Sequence, residues 1–255
     1  MERIESLNNG LAATTNLSEC LKIDQEYLFK VVISPLCSQS LLNKMMTTIA
    51  DSQPSGILPR MRVTGKVLAE TFGTTNTVQN VYSVLSQHVA DTVRGWACFI
   101  LPQQLPELSL PELLTKIQPH AKDAHFGVRE WVWMAARGKL ELDLAYSIEL
   151  LSPWVVDPHP FIRRFAVECL RPRGVWCRHI AALKEQPAIA LPLLEPLKNE
   201  PEIYVQDSVA NWLNDASKSQ PQWVSDVCEK WLMESNSKST QRIVKRALRS
   251  IRKTK

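Results

Sequence analysis

Five segments of this 255-residue chain follow one pattern: TVRGWA from Thr92, GVREWV from Gly127, FIRRFA from Phe161, YVQDSV from Tyr204 and IVKRAL from Ile243. Each offers a β-branched residue, a residue that is usually basic, a variable one and two packing positions. The anchors Val93, Val128, Ile162, Val205 and Val244 lie 35, 34, 43 and 39 residues apart. Such a step accommodates two helices and their turn, and a pattern recurring at that period belongs to chains that stack one supersecondary unit on the next. Pro102, Pro106, Pro111, Pro153, Pro158, Pro187 and Pro201 fall between the anchors, where the helices of a stack turn back.

The repeats resemble HEAT-type units. The expected fold is therefore all-α, an α-solenoid of HEAT-like helical repeats whose anchor-bearing helices line a concave face. Composition agrees: 8 glycines stand against 16 prolines, with neither a GxGxxG nor a P-loop, so glycine-turned parallel sheets are not expected. Residues 1–89 read as an N-terminal helical region continuing the solenoid, and 90–255 as the repeat core that carries the site. In the first region Leu17, Leu21, Tyr27, Leu28 and Val31 are expected core contacts, with Leu41, Leu42, Met45 and Met46 in a second helix. Asp51 to Lys66, rich in proline, glycine and basic residues, reads as a surface loop. Helices resume from Val67 to Gln87, interrupted near Gly73 to Asn76.

No stretch approaches the roughly 20 apolar residues of a membrane span, and no secretory leader is visible in the first twenty positions. Six scattered cysteines without a CxxC pair argue against a zinc ribbon and for a reducing cytoplasm. No metal and no cofactor are expected.

Chemistry gathers in DPHPFIRRFAVECLRPRGVW, residues 157–176. A helix is expected from about Pro160 to Leu170, started by Asp157 and Pro158 and closed by Pro172. Phe161, Ile162, Phe165, Ala166, Cys169 and Leu170 form its buried side, and Arg164, Glu168 and Arg171 share the other. That trio reads either as a surface ion pair worth about 0–1 kcal/mol, or as arginines gripping phosphates beside a carboxylate that faces a cation. In a helix over about 202–217, Val205, Val209, Trp212 and Leu213 oppose Asp207, Asn211, Asn214, Asp215 and Lys218. Asp215 sits in the last turn, where the helix dipole disfavours an acid. Trp96, Trp131, Trp212 and Trp231 occupy packing positions. Trp176 lies in a loop, either capping a helix or stacking on a base or cation. Glu130 shares a helix face with Trp133 and Arg137, which reads as an intrahelical ion pair.

Thr240 to Lys255 carries Arg242, Lys245, Arg246, Arg249, Arg252, Lys253 and Lys255 and no acid. With Arg129, Arg163, Arg164, Arg171, Arg173 and Arg178 at related points of other repeats, these outline a stripe able to follow a polyanion.

HFGVREWVW, RRFAVECLRPRGVW and DSVANWLNDASK, spanning His125 to Lys218, resemble in content and order the bacterial DNA alkylation repair glycosylases of the AlkC and AlkD type, most of all AlkC. The resemblance implies a monomeric, cofactor-free enzyme of the bacterial cytosol that removes cationic N-alkylated bases such as 3-methyladenine from double-stranded DNA. It implies site carboxylates at Glu168, Asp215 and Glu130, a base-contacting Trp176, and DNA contacts from Arg164, Arg171, Arg173, Arg129, Arg242, Lys245, Arg246 and Arg249. A carboxylate near C1′ would stabilise the sugar cation or position water. The segment before Ala90 departs from the family pattern, Trp212 interrupts the asparagine-rich block, and the immunoglobulin-like tail of some relatives is not expected. Two other classes stay open: a non-catalytic HEAT-repeat nucleic-acid-binding module, and a protein scaffold.

Overall fold

In the computed structural model, which describes residues 2–73, 75–104 and 107–253, every regular element is helical. The chain divides into two compact units, residues 1–136 and 137–255. The first holds α1 (Arg3–Asn8), α2 (Leu17–Lys22), α3 (Gln25–Ile33), α4 (Gln39–Asp51), α5 (Ile57–Phe72), α6 (Thr75–Ser86), α7 (Asp91–Ile100), α8 (Leu110–Ala121) and the start of α9 (Phe126–Leu140). The second holds the end of α9, α10 (Leu144–Leu151), α11 (Pro160–Glu168), α12 (Ala181–Glu185), α13 (Leu191–Leu194), α14 (Ile203–Ser217), α15 (Pro221–Glu234), α16 (Lys238–Ala247) and α17 (Arg249–Lys253). Pro106 and Lys255 fall outside the described residues, as do the side chains of Asn76 and Lys253.

Short polar side chains start many of these helices. Asn16, Asp24, Ser38, Asp143 and Ser237 each accept a first-turn N–H, and Ser109 with Glu112 forms a reciprocal capping box. In the second unit each anchor-bearing helix stacks on the next, α11 on α14 and α14 on α16. In the second unit α14 is packed by α11, α15 and α16, and in the first α7 lies between α5 and α6. Val93, Val128, Ile162, Val205 and Val244 are all buried, as are Trp96, Trp131, Trp212 and Trp231.

The residue after four of the five anchors has a common task. Arg94 Nη1 donates to the carbonyls of His88 and Val89, Arg129 Nη1 to those of Asp123 and Ala124, and Arg163 Nη1 to those of Asp157 and Pro158. Gln206 Nε2 does the same toward Glu200 and Pro201. Each side chain thus fastens the turn six and five residues behind it. Arg94 also pairs with Asp123 at 2.8 Å, and Arg163 with Glu200 at 2.6 Å, so the next turn is tied in as well. These acids accept in turn from the backbone of their own turns, at His125 and Glu202. The usually basic position of the sequence pattern is a ladder that holds turns.

Two readings of the first unit are corrected. Asp51 to Lys66 is not a surface loop throughout, because α5 starts at Ile57. Pro59 sits in its first turn, where no intrahelical N–H bond is lost. Gly65 faces α7 so closely that a Cβ there would meet the carbonyl carbon and oxygen of Phe99 at 2.7 and 2.8 Å. Gly65→Ala is therefore expected to destabilise the fold by about 2 kcal/mol despite alanine's better helix propensity, read by urea denaturation. Leu17, Leu21 and Tyr27 are exposed, whereas Leu28 is buried. The six-residue α2 is held by polar contacts instead: Arg3 on Glu19, and Thr14 bridging Cys20 and the buried Asp91.

Candidate functional site

Helix α11 ends at Glu168, two residues before the expected stop, and the chain then runs through Arg171 into the RPRGVW loop. This brings the trio read as a polar surface into the interior: Arg164, Glu168 and Arg171 are 8%, 4% and 7% exposed. Asp215, from the last turn of α14, is likewise buried. Part of the expected polar face of α14 is covered because that helix has neighbours on several sides: Asn214 is buried too, donating to the Ala247 carbonyl, while Asp207 and Asn211 are half-buried and Lys218 is exposed.

Arg171 joins the two carboxylates. Its Nη1 donates to Glu168 Oε1 at 2.6 Å, and its Nη2 and Nε donate to Asp215 Oδ2 at 2.7 and 2.9 Å. Glu168 Oε2 accepts from Ser208 Oγ at 2.7 Å and lies 3.9 Å from Arg164 Nη2, whose guanidinium sits over the Tyr204 ring. Both Glu168 oxygens are engaged. Asp215 Oδ1 instead faces Lys218 Nζ at 3.3 Å, on a side chain that is about half exposed. Burial works to raise the Glu168 carboxyl, but Arg164, Arg171 and Ser208 outweigh it and hold the group below its ordinary value. Glu168 is thus an anion at neutral pH and unsuited to donating a proton.

The loop after Arg171 is fixed from beneath by Arg137, in the last turn of α9. Its guanidinium donates to the carbonyls of Cys169, Arg171 and Arg178 at 2.9, 2.6 and 3.1 Å. Gly174 passes over it, and a Cβ there would come within 3.3 Å of Arg137 Cζ. Arg173 reaches the end of α14, donating to the Asp215 carbonyl and to Ser219 Oγ. On this frame Trp176 stands 58% exposed with φ of 57°, in the left-handed region that bulky residues avoid. Strain of this kind, about 1–3 kcal/mol, persists where surrounding contacts over-determine the backbone, and it concentrates at functional sites. Arg137→Met is expected to cost about 3 kcal/mol and to speed amide hydrogen exchange across residues 172–180, leaving the exchange of α15 unchanged.

The basic C-terminal segment is two helices, broken at Leu248. Arg242 and Arg246 both approach Asp207, at 2.7 and 3.1 Å, and Arg249 donates to Asn211 at 2.9 Å. Burial, and then repulsion from Arg246, lowers the Arg249 pKa, with Asp215 opposing and Arg171 adding to the effect. Of the three, Arg249 feels the charge of Asp215, whereas Arg242 and Arg246 are paired with Asp207. Lys245 is exposed.

In the first unit Glu130 accepts from Trp133 Nε1 at 2.8 Å, while Arg129 belongs to the turn ladder. The ion pair expected between Glu130 and Arg137 gives way to Arg137's hold on the loop. Sequence reasoning did not assign that task to Arg137, nor the Ser208 hydroxyl to Glu168, because each partner lies about 40 residues away in the chain. Among the described residues no group of His, Cys, Asp and Glu is arranged to hold a metal ion, and no helix is long and apolar enough to cross a membrane.

Known proteins resemble this chain in sequence or in fold. The uncharacterised protein YhaZ of Bacillus subtilis (strain 168) is 32% identical over 160 residues, covering 63% of this chain and 43% of YhaZ. The Pseudomonas fluorescens alkylpurine DNA glycosylase AlkC, solved bound to DNA containing an abasic site analog, superposes with a TM-score of 0.71 at 20% identity. That match covers 93% of this chain and 65% of AlkC. AlkD2 from Streptococcus mutans gives 0.64 at 21% identity, over 82% of this chain and 97% of AlkD2. The fold is accordingly all-α, of HEAT-like repeats, and the chain spans under half of YhaZ and under two thirds of AlkC. The profile described as DNA alkylation repair enzyme matches residues 110–251, more than half of the sequence, and the chain belongs to that family.

Proposed function

We propose that this chain is a DNA glycosylase that cleaves the N-glycosidic bond of cationic N-alkylated bases, of the 3-methyladenine type, in duplex DNA. The observation that carries the reading is the buried carboxylate pair on Arg171, at the root of the strained loop that presents Trp176. A base already bearing positive charge leaves without being protonated. The bond between C1′ and the base nitrogen breaks, its electron pair departs with the base, and positive charge develops on the sugar. A fixed anion near C1′ is worth most at that moment.

Asp215 suits this role better than Glu168, since among the described residues its Oδ1 is opposed by the half-exposed Lys218 alone, which a phosphate can draw away. Glu168 then acts through Arg171 as a positioning residue. Water adds to C1′, releasing a proton and leaving an abasic sugar. The DNA in the AlkC complex contains an abasic site analog, which matches the product side of such a reaction. Trp176 offers its ring face to the cationic base, contributing on the order of 0.5–2 kcal/mol and favouring charged over neutral bases. Arg173, Arg242, Lys245, Arg246 and Arg249 supply the cationic field for the phosphates, while Arg164 and Arg171 are committed to holding the carboxylates. A membrane-free, cytoplasmic monomer acting on DNA fits this chemistry.

The test is chromatography of bases liberated from methylated duplex DNA. Release of 3-methyladenine with normal bases retained is expected. Salt-sensitive DNA binding without base release would favour the non-catalytic module instead.

A further inference from the structure

Gln25 opens α3 and is only 7% exposed, yet its Oε1 has no hydrogen-bond partner. A buried acceptor left in this state is unfavourable unless a water or a ligand brings it a donor. Gln25 lines two adjoining recesses of about 270 and 310 Å³, and Arg60 lines both with it. The first is walled on one side by Phe29, Met46, Ile49, Ala50 and Pro54, a slot that is apolar there and bordered by Glu26, Gln53 and Thr64 on the other. The second opens on Gly56 and Ile57, where α5 begins.

That helix start has no side-chain cap, because its N-cap is glycine. Gly56 has φ of 88°, which reserves the position for glycine, and a Cβ there would meet nothing within 4 Å, so the approach is open. The 16-residue α5 therefore directs its uncapped first-turn amides and its positive dipole end at the second recess. Arg60 stands one turn further on. Among the described residues its guanidinium has no ion pair or hydrogen bond.

We propose that the two recesses form one nucleotide site. A heteroaromatic base carrying an amino group fills the apolar slot and gives its exocyclic N–H to Gln25 Oε1, while a phosphate rests on Arg60 and the start of α5. A flat apolar body, a projecting N–H and an anion a few ångströms away are the three features the lining asks for, and a nucleotide combines them. The same chemistry is presented by a free mononucleotide and by an unpaired nucleotide of a DNA strand.

Calorimetric titration of the full chain with AMP, with adenosine and with a short single-stranded oligo(dA) tests this. Saturation by AMP at one per chain identifies the free nucleotide, and saturation by oligo(dA) without AMP identifies the strand. In either case Arg60→Ala is expected to weaken the phosphate-bearing probe about tenfold or more while leaving adenosine unchanged. Gln25→Leu, which replaces the unpaired acceptor by an apolar group of similar size and so keeps the fold, is expected to weaken all probes that bind the wild type. The proposal is overturned if neither AMP nor oligo(dA) saturates at about 1 mM, or if both variants bind like the wild type. The site belongs to the first unit and the carboxylate pair to the second, so its failure would leave the glycosylase reading untouched.

Discussion

Asp215→Asn is expected to lower the rate of 3-methyladenine release by about 10²- to 10³-fold, comparable to the loss of one preorganised electrostatic group in other active sites. The exchange keeps the shape of the side chain and removes its charge. Arg171 retains Glu168 as a partner at 2.6 Å, so the local framework should survive. Three measurements separate chemistry from folding: base release, duplex DNA affinity at fixed salt, and the thermal midpoint. A variant that binds DNA and melts like the wild type but releases base at full speed would remove Asp215 from the mechanism. Glu168→Gln, with both oxygens already engaged, should instead disturb the position of Arg171 and affect activity and stability together.

Arg171→Met is the substitution expected to matter most for stability, at about 3–5 kcal/mol near pH 7. It leaves two buried carboxylates without the guanidinium that bridges them. The pH dependence follows from the direction of the Glu168 shift. In the wild type the folded carboxyl titrates below its ordinary value of 4.5, so its contribution is fully present above that value and is lost as pH falls through the lower folded pKa. In the variant, burial acts with less opposition and pushes the folded Glu168 carboxyl upward. The deficit should then be largest at neutral pH and narrow as pH falls toward the ordinary carboxylate range. Urea unfolding of both proteins at pH 7 and near pH 4 reads this directly, and equal stability at pH 7 would show that the bridge contributes nothing.

Much of the fold was legible because the anchor pattern reports burial, and burial is what a repeat must achieve. The chemistry of the position after each anchor was harder to read. Arg94, Arg129 and Arg163 look like a stripe for phosphates, yet each spends hydrogen bonds on turn carbonyls behind it. A one-dimensional reading cannot tell a guanidinium that faces a ligand from one that fastens its own turn. The same limit hid the burial of Arg164, Glu168 and Arg171, because spacing assigns a face to one helix without saying what covers it. Asp51 to Lys66 misled for another reason: Pro59 and Gly65 are usual loop residues, but a first-turn position excuses the proline and the approach of Phe99 requires the glycine. Trp176 was set apart as a ring without a helix face, and its exposed place in the loop agrees with that.

The backbone at Trp176 has a consequence for how this chain can drift. Glycine would be at ease there, so a single replacement would relieve the strain and raise thermal tolerance while deleting the indole. A screen for heat resistance alone should enrich that replacement, and a screen for survival of methylating agents should purge it. Selection at this one position would therefore reveal which demand the cell places on the protein.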